Sequence, residues 1–188
     1  MKIFTISQAS KYCKVTPEKI IAWIENGSIL TDTTTGGHRR IKRDELDHYL
    51  KEQNLPAGDY SFIDSIKKIL VVDDDKIVVE TIVQALEEDE HGYDLMSAAD
   101  GFEAELQEKH FKPDLMILDI KMPDINGYEV CKKIKSDPET KEIKIIILSA
   151  YLDDDNKKQM MENGADACFS KPLPLPNLKQ QVVKLLGL

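Results

Sequence analysis

The chain contains the stretch Leu115-Met116-Ile117-Leu118-Asp119, in which four apolar residues lead to a single carboxylate. A short, continuous apolar run of this kind predicts a strand that is buried on both faces of a sheet. Three similar runs occur elsewhere in the chain, and each leads to polar residues. They are 69–72 before Asp73 and Asp74, 145–148 before Ser149, and 167–169 before Ser170 and Lys171.

Strand and helix signals alternate through the C-terminal part of the chain. Continuous apolar strands with amphipathic helices between them predict an α/β fold, in which helices cover both faces of a parallel sheet. The predicted strands are 68–72, 93–97, 114–118, 144–149 and 167–169, and the predicted helices lie near 75–88, 100–110, 125–136, 153–163 and 175–187.

Polar side chains are predicted to collect at one edge of this sheet. The carboxyl ends of parallel strands meet there, and such folds bind their ligands at that edge. The clustered carboxylates of Asp73, Asp74 and Asp119 would repel one another unless a cation is bound, and hard oxygen ligands suit Mg²⁺. With Ser149 and Lys171 alongside, the sequence predicts a magnesium site at which a carboxylate accepts a phosphoryl group.

Composition restricts the class of protein. A hydrophobic content of 41% is sufficient for ordinary globular cores. No stretch approaches the roughly 20 apolar residues of a membrane span, and no signal peptide is recognised. We therefore expect a cytoplasmic protein without membrane partners. The three cysteines, Cys13, Cys131 and Cys168, are widely spaced and odd in number, which is typical of reduced thiols.

The net charge of -9 is unevenly distributed along the chain. Residues 1–54 carry nine Lys and Arg against seven Asp and Glu, whereas residues 67–188 carry sixteen against twenty-five. The dense basic cluster is His38-Arg39-Arg40-Ile41-Lys42-Arg43. A nucleic-acid contact is therefore predicted in the N-terminal part, because the acidic part would repel a phosphate backbone.

The N-terminal part has the pattern of a small helical domain with a hairpin. Thr5 or Ser7 is predicted to cap a first helix, Thr16 ahead of a proline a second, and Asp44 a third. Residues 28–41 predict a β-hairpin with a polar, glycine-containing turn. Two short helices joined by a tight turn and followed by a basic hairpin are typical of a winged helix-turn-helix.

The sequence predicts two domains and a joint between them. The winged helix-turn-helix domain is placed at 1–54, the linker at 55–66 and the α/β domain at 67–188. The linker begins with Leu55-Pro56-Ala57-Gly58-Asp59, but its later residues are apolar. Whether those residues pack on one of the domains stays open at this point.

Several motifs are spaced along residues 67–188. They are Val71-Val72-Asp73-Asp74-Asp75, Leu118-Asp119-Ile120-Lys121-Met122-Pro123-Asp124-Ile125-Asn126-Gly127, Leu148-Ser149-Ala150, Gly164-Ala165-Asp166 and Ser170-Lys171-Pro172. Their order and spacing closely resemble those of response-regulator receiver domains. The resemblance implies a flavodoxin-like fold with a five-stranded parallel sheet.

The resemblance also implies a role for each polar residue. Asp119 would accept a phosphoryl group from a phosphohistidine of a sensor histidine kinase or a phosphotransfer protein. Lys171 would pair with that group, and Ser149 would donate a hydrogen bond to it, which converts the modification into a loop movement. The receiver would assist its own phosphorylation without being an enzyme in the usual sense. The Mg²⁺ ligands would be Asp73, Asp74, Asp119 and the backbone carbonyl of Lys121.

Two observations bear on this resemblance. Receivers usually carry a switch aromatic three residues before the lysine, where this chain has Cys168. The usual conformational response is therefore an open question. Asp73-Asp74-Asp75 also fits the nucleophile strand of haloacid dehalogenase phosphatases, but the segment after Lys67 is short for that family.

Residues 3–52 resemble the winged helix-turn-helix of MerR and excisionase-like proteins, with Gly36-Gly37-His38-Arg39-Arg40-Ile41 as the characteristic part. The resemblance implies that the start of the second helix enters the major groove and that the hairpin reaches phosphates or the minor groove. The implied contacts to double-stranded DNA are Thr16, Glu18 and Lys19 on the helix, and His38, Arg39, Arg40 and Lys42 on the hairpin.

These features together predict a two-component response regulator that binds DNA and regulates transcription. Phosphorylation would promote a homodimer, and pairing two weak DNA-binding modules raises avidity by roughly 10² to 10⁴. Two alternatives stay open. One is a protein-interaction or phosphorelay protein whose N-terminal domain binds protein. The other is an excisionase-like architectural protein that coats and bends DNA.

Overall fold

The structure, a computed structural model, describes residues 3–33, 39–59, 61–122, 127–150 and 153–188, with the side chains of Asp64 and Asp154 excepted. The chain divides into two compact units, of which the first comprises Met1–Ile66 and Glu87–Tyr93 and the second Lys67–Leu86 and Asp94–Leu188. The predicted hairpin turn and part of the motif after Asp119 lie outside the described residues.

The first unit has three short strands and three helices within its described residues. They are β1 (Ile3–Phe4), α1 (Ile6–Cys13), α2 (Pro17–Glu25), β2 (Asp32–Thr33), β3 (Arg39–Lys42) and α3 (Arg43–Glu52), followed by a 3-10 turn at Ile63–Ser65. Strand β3 pairs antiparallel with β1 on one side and with β2 on the other. The β2–β3 pair confirms the predicted hairpin, and β1 adds a strand that the sequence did not predict.

Local side chains determine where the helices begin. Thr5 caps α1, since its hydroxyl accepts from the backbone N–H of Gln8 and the Gln8 side chain accepts from the Thr5 N–H, as in a capping box. Thr16 occupies the N-cap of α2 with proline at the next position, although its side chain caps no backbone N–H.

The predicted cap of α3 is wrong. Lys42 occupies the N-cap and Asp44 lies inside the first turn. The reason is that β3 continues directly into α3, so the extended residue that precedes the helix is the last residue of the strand. Within the first turn, the Asp44 carboxylate still interacts favourably with the helix dipole.

A compact apolar core holds the first unit together. The segment after α3 packs against it through Phe62 and Ile63, and the Asp59 N–H donates to the Tyr12 carbonyl at 2.9 Å. The residues predicted as a linker therefore belong to this unit. The buried core consists of Phe4, Ala9, Tyr12, Ile20, Trp23, Ile29, Ile41, Leu46 and Leu50.

The second unit alternates strand and helix through its described residues. Its elements are β4 (Lys68–Val72), α4 (Lys76–Glu87), β5 (Asp94–Ala98), α5 (Gly101–Phe111), β6 (Leu115–Asp119), α6 (Gly127–Ser136), β7 (Lys144–Ser149), α7 (Asp154–Glu162), β8 (Ala167–Ser170) and α8 (Leu175–Leu186). The five strands pair in parallel in the order β5-β4-β6-β7-β8. This is the flavodoxin-like order, which confirms the predicted fold class.

The central strands owe their burial to their composition. All residues of β6 are buried, as are those of β4 and β7 after a partly exposed first lysine. Continuous apolar strands of this kind require cover on both faces, which the intervening helices supply.

In the part of the chain that the structure describes, no helix has both the length and the apolar character needed to cross a membrane.

The assignment of the first unit's core can be tested by shortening one buried side chain. Leu46→Ala is expected to lower the free energy of unfolding by about 2–5 kcal/mol, because Leu46 is fully buried. Leu30→Ala, the same change at a side chain that is 68% exposed, should alter it by less than about 0.5 kcal/mol. Fluorescence of the single, buried Trp23 during urea unfolding measures both; coinciding transitions would contradict the assigned core.

Candidate functional site

Four polar residues meet at the carboxyl edge of the parallel sheet. Asp73 follows β4, Asp119 ends β6, Ser149 ends β7, and Lys171 follows β8. In the strand register, Asp119 is paired with Leu148 and Ser149 with Ser170, so the strand ends lie side by side. The structure therefore brings together the residues that the sequence predicted to converge.

The backbone around Asp119 is held from several sides. The Ile120 N–H donates to the Leu148 carbonyl at 3.1 Å, and the Lys171 N–H donates to the Ser149 carbonyl at 2.8 Å. Helix α6 begins at Gly127, whose position is so close that an added Cβ would lie 2.4 Å from the Asp119 carbonyl oxygen. Only glycine fits there, which fixes the start of α6 against the end of β6.

Lys171 bridges two buried carboxylates. Its Nζ lies 2.7 Å from Asp73 Oδ2 and 3.1 Å from Asp119 Oδ1. Asp73 and Asp119 are only 1% and 4% exposed, so both charges are almost fully withdrawn from water. A buried charge is strongly unfavourable unless it is paired, and here a single ammonium is shared between two carboxylates.

The pKa values reflect this shortage of positive charge. Burial raises the pKa of Asp119 above its ordinary value, Lys171 partly offsets that effect, and the nearby charges of Asp73 and Asp74 add to it. Burial by itself would lower the pKa of Lys171, but the carboxylates of Asp73 and Asp119 outweigh it and raise that pKa. The site therefore favours binding of additional positive charge.

Three carboxylates are arranged so that they could hold a metal ion. Asp73, Asp74 and Asp119 each offer an oxygen, and these oxygens lie within 4.8 Å of one another. Asp74 is exposed, which leaves the group open to solvent on one side. Among the described residues, the buried Oδ2 of Asp73 has a charge contact with Lys171 and no aligned hydrogen bond. This donor set is one that a hard divalent cation prefers.

Two further residues with predicted receiver roles, Ser149 and Lys121, lie at or just beyond the ends of strands β7 and β6. Ser149 is buried, at 4% exposed, and Lys121 is exposed immediately after the end of the buried strand. Pro123-Asp124-Ile125-Asn126 lies outside the described residues. The roles given to Ser149 and to the Lys121 carbonyl stay predictions.

Cys168 lies at the position where receivers usually carry the switch aromatic. It is partly buried against the core of the second unit, and its Sγ lies 3.9 Å from Met161 Sδ. Burial raises the pKa of this thiol, and Lys157 lowers it to a lesser extent. A sulfur-to-sulfur contact therefore occupies the place of an aromatic ring.

In the first unit, the residues predicted to read bases are exposed at the start of α2. They are Thr16, Glu18 and Lys19. A hydrogen bond from the Thr16 side chain lowers the pKa of Glu18. Lys19 Nζ lies 5.8 Å from the centroid of the Trp23 ring, a cation–π distance.

The basic hairpin differs from the simple cationic surface that its sequence predicts. Arg39 is exposed, but Arg40 forms an ion pair with Glu87, and Lys42 Nζ lies 2.8 Å from Asp32 Oδ2. The Asp32 partner could have been found from the hairpin, since Asp32 is on the paired strand. The pairing of Arg40 with Glu87 could not be found in this way, because the two residues are far apart in sequence. His38 lies outside the described residues.

Comparison with known proteins agrees with this geometry. The profile of the response regulator receiver domain matches residues 69–183, and that of a helix-turn-helix domain matches residues 3–54. The fold and the site define the class of this protein: its second unit is a parallel α/β domain with acidic residues at the carboxyl edge of the sheet. The chain belongs to the response regulator receiver domain family and carries a helix-turn-helix domain ahead of the receiver.

Two transcriptional regulators are similar in sequence to this chain. The DNA-binding dual master transcriptional regulator RpaA of Synechocystis is 31% identical over 119 residues, which are 63% of this chain and 48% of that protein. The alkaline phosphatase synthesis transcriptional regulatory protein PhoP of Bacillus subtilis is 36% identical over 120 residues, which are 64% of this chain and 48% of that protein. The chain thus spans about half the length of these two relatives.

A solved structure shows a similar fold. The signal receiver domain of a DNA-binding response regulator protein (merR) from Colwellia psychrerythraea superposes with a TM-score of 0.63 at 32% identity. The match covers 65% of this chain and 99% of that one. The similarity therefore concerns the receiver part of the chain.

The raised pKa of Asp119 predicts a pH-dependent effect on stability. A carboxyl whose pKa is raised on folding contributes stability below its unfolded pKa, and this contribution is lost as pH rises through the folded pKa. Asp119→Asn, which cannot ionise, should therefore stabilise the protein at neutral pH and have little effect near pH ~4, close to the ordinary pKa of an aspartate.

Denaturant unfolding followed by circular dichroism, with a chelator present, measures this difference at both pH values. Asp155→Asn removes a carboxylate at an exposed position and is the matched control. A loss of stability in Asp119→Asn at neutral pH would show that Asp119 is well compensated in the folded protein.

Proposed function

We propose that this chain is a two-component response regulator: a transcription factor that binds DNA and is controlled by phosphorylation of Asp119. The observation that carries the proposal is the pair of buried carboxylates, Asp73 and Asp119, on a single lysine, in a chain that also has a helix-turn-helix domain. The proposed domains are 1–54 and 67–188, with residues 55–66 packed on the first of them. Two relatives named as transcriptional regulators, RpaA and PhoP, support the assignment.

The acidic site fits a magnesium ion. Three carboxylates against one ammonium leave an excess of negative charge, and three oxygens are close enough to share one ion. The ligands would be Asp73, Asp74, Asp119 and the Lys121 carbonyl. When bound, Mg²⁺ would offset the negative charge on the phosphoryl oxygens.

Asp119 acts as the nucleophile in this proposal. A carboxylate oxygen of Asp119 attacks the phosphorus of a phosphohistidine on a histidine kinase or phosphotransfer protein. The new O–P bond forms as the N–P bond breaks, and the electron pair of that bond returns to the imidazole nitrogen. Lys171 exchanges its contact with Asp119 for one with the phosphoryl oxygens, which places a cation beside the incoming charge.

The modification then acts through the strand end that carries Ser149. Its hydroxyl donates to a phosphoryl oxygen, which draws the following loop toward Asp119. The altered receiver surface pairs two copies of the chain, and two helix-turn-helix domains then bind DNA together. Avidity of this kind needs no new contact with DNA.

A specific observation favours a second candidate function, in which the small domain binds protein. Two cations of the predicted DNA surface, Arg40 and Lys42, already have acidic partners. A hairpin whose charges are paired attracts phosphate less strongly than its sequence indicates. In this alternative, the phosphorylated receiver regulates docking to a partner protein.

Arg39→Ala separates the two candidates. Arg39 is an exposed hairpin cation, and losing one phosphate contact should reduce the slope of log affinity against log salt by about 0.9. Fluorescence anisotropy with a labelled, mixed-sequence duplex across a salt series measures this slope.

Lys51→Ala is the matched control for that experiment. Lys51 is exposed on α3, and at 1.5 Å rise per residue it lies about 12 Å along the helix from Arg43, next to the hairpin. Its removal should leave the slope nearly unchanged. If both variants bind the duplex as the wild type does, the hairpin has no role in DNA binding and the protein-docking candidate is favoured.

A further inference from the structure

Glu87 ends α4, and residues 88–93 connect that helix to β5. Residues 87–93 nevertheless belong to the same compact unit as the N-terminal residues. Helix α1 supplies hydrogen-bond donors to them, and every acceptor is a backbone carbonyl. The bonds run from Ser7 Oγ to Glu90 (3.1 Å), from Gln8 Nε2 to Gly92 (3.4 Å) and Tyr93 (3.2 Å), and from Lys11 Nζ to His91 (2.6 Å).

The packing of this segment against α1 is close. Gly92 has a φ of +63°, and a Cβ built on it would lie 2.9 Å from Ser7 Oγ. Ser7 and Gln8 are buried polar residues, and the carbonyls of the segment provide partners that buried polar groups require. Segment 87–93 is therefore held in one place by α1.

Glu87 is the first residue of the segment and pairs with Arg40. Its side chain is only 8% exposed, while that of Arg40 is 25% exposed. A buried carboxylate is costly without a partner, so this ion pair is more persistent than one on an open surface. Arg40 is also one of the residues predicted to contact the phosphates of DNA.

A carboxylate and a DNA phosphate present the same chemistry to a guanidinium. Both are anions that accept charge-assisted hydrogen bonds from the same N–H groups of arginine. While Glu87 offsets the charge of Arg40, the guanidinium attracts a phosphate less strongly. The contact with Glu87 therefore removes one cation from the surface available to DNA.

We propose that segment 87–93 is an intrachain competitor of DNA, in which Glu87 occupies Arg40 and the bonds from α1 hold the segment in position. This inference rests on the proposed DNA-binding function. DNA binding then requires that Arg40 exchange Glu87 for a phosphate. The exchange lowers the affinity of the resting chain for any duplex, whatever its sequence.

The size of the effect follows from counterion release. One additional phosphate contact steepens the dependence of log affinity on log salt by about 0.9, which corresponds to roughly eightfold in affinity at ~0.1 M salt relative to 1 M. Glu87→Gln removes the competing charge and keeps the shape of the side chain. It should therefore bind a duplex about five- to tenfold more tightly than the wild type, with a steeper salt slope.

The test compares matched variants of the full chain on a labelled, mixed-sequence duplex across a salt series. Glu88→Gln changes the charge by the same amount at the adjacent, exposed position and should have a much smaller effect. In an Arg40→Ala background, Glu87→Gln should give no gain. Gly92→Ala disturbs the packing on Ser7 without any change in charge, and it should also tighten DNA binding.

The outcomes separate four cases: Glu87 competes with DNA, Glu87 has no effect on DNA binding, Glu87 only supports the hairpin, or the chain does not bind DNA. A tighter Glu87→Gln whose gain depends on Arg40 supports the competitor. If Glu87→Gln and Gly92→Ala bind as the wild type does while Arg39→Ala binds more weakly, the competitor is refuted and the DNA-binding function stands. Weaker binding by Glu87→Gln, with an earlier unfolding transition of Trp23 fluorescence, would show that Glu87 supports the hairpin instead. If no variant binds the duplex in a salt-dependent manner, the DNA-binding function fails, and the competitor with it.

Discussion

The shared contact of Lys171 with Asp73 and Asp119 is the interaction on which the second unit is organised. Two buried carboxylates are tolerated at this edge of the sheet because one ammonium lies between them. The compensation is incomplete, since burial still holds the pKa of Asp119 above its ordinary value. A site with residual negative charge and one exposed carboxylate, Asp74, favours the uptake of a cation.

The order of the strands makes this contact possible. Residues 73, 119, 149 and 171 are far apart in sequence, and only a parallel sheet brings the ends of their strands to one edge. The close approach of Gly127 to the Asp119 carbonyl then fixes the following helix against that edge. The ends of β7 and β8 are bonded to the backbone around Asp119, so in the proposed function a shift there would convert the modification into a change of surface.

Much of this architecture could be predicted because its signals are local. The continuous apolar runs gave strands β4, β6 and β7 and the polar residues that follow them. Other features depend on contacts between distant parts of the chain. Strand β1 has only two residues, too few to show a pattern. Asp44 is not the cap of α3, because β3 runs directly into the helix and Lys42 takes that position. The Arg40–Glu87 pair joins residues that no sequence spacing relates. Tertiary pairing decided each of these, and no local pattern encodes it.

In the proposed function, Asp119 accepts a phosphoryl group at a magnesium-dependent site. The most direct measurement is to incubate the protein with acetyl phosphate, with Mg²⁺ or with a chelator, and to locate any added phosphoryl group by mass spectrometry. We expect a phosphoryl group on Asp119 that requires Mg²⁺, is absent from Asp119→Asn and persists in Asp155→Asn. Incorporation at another residue, or the same incorporation in Asp119→Asn, would contradict it.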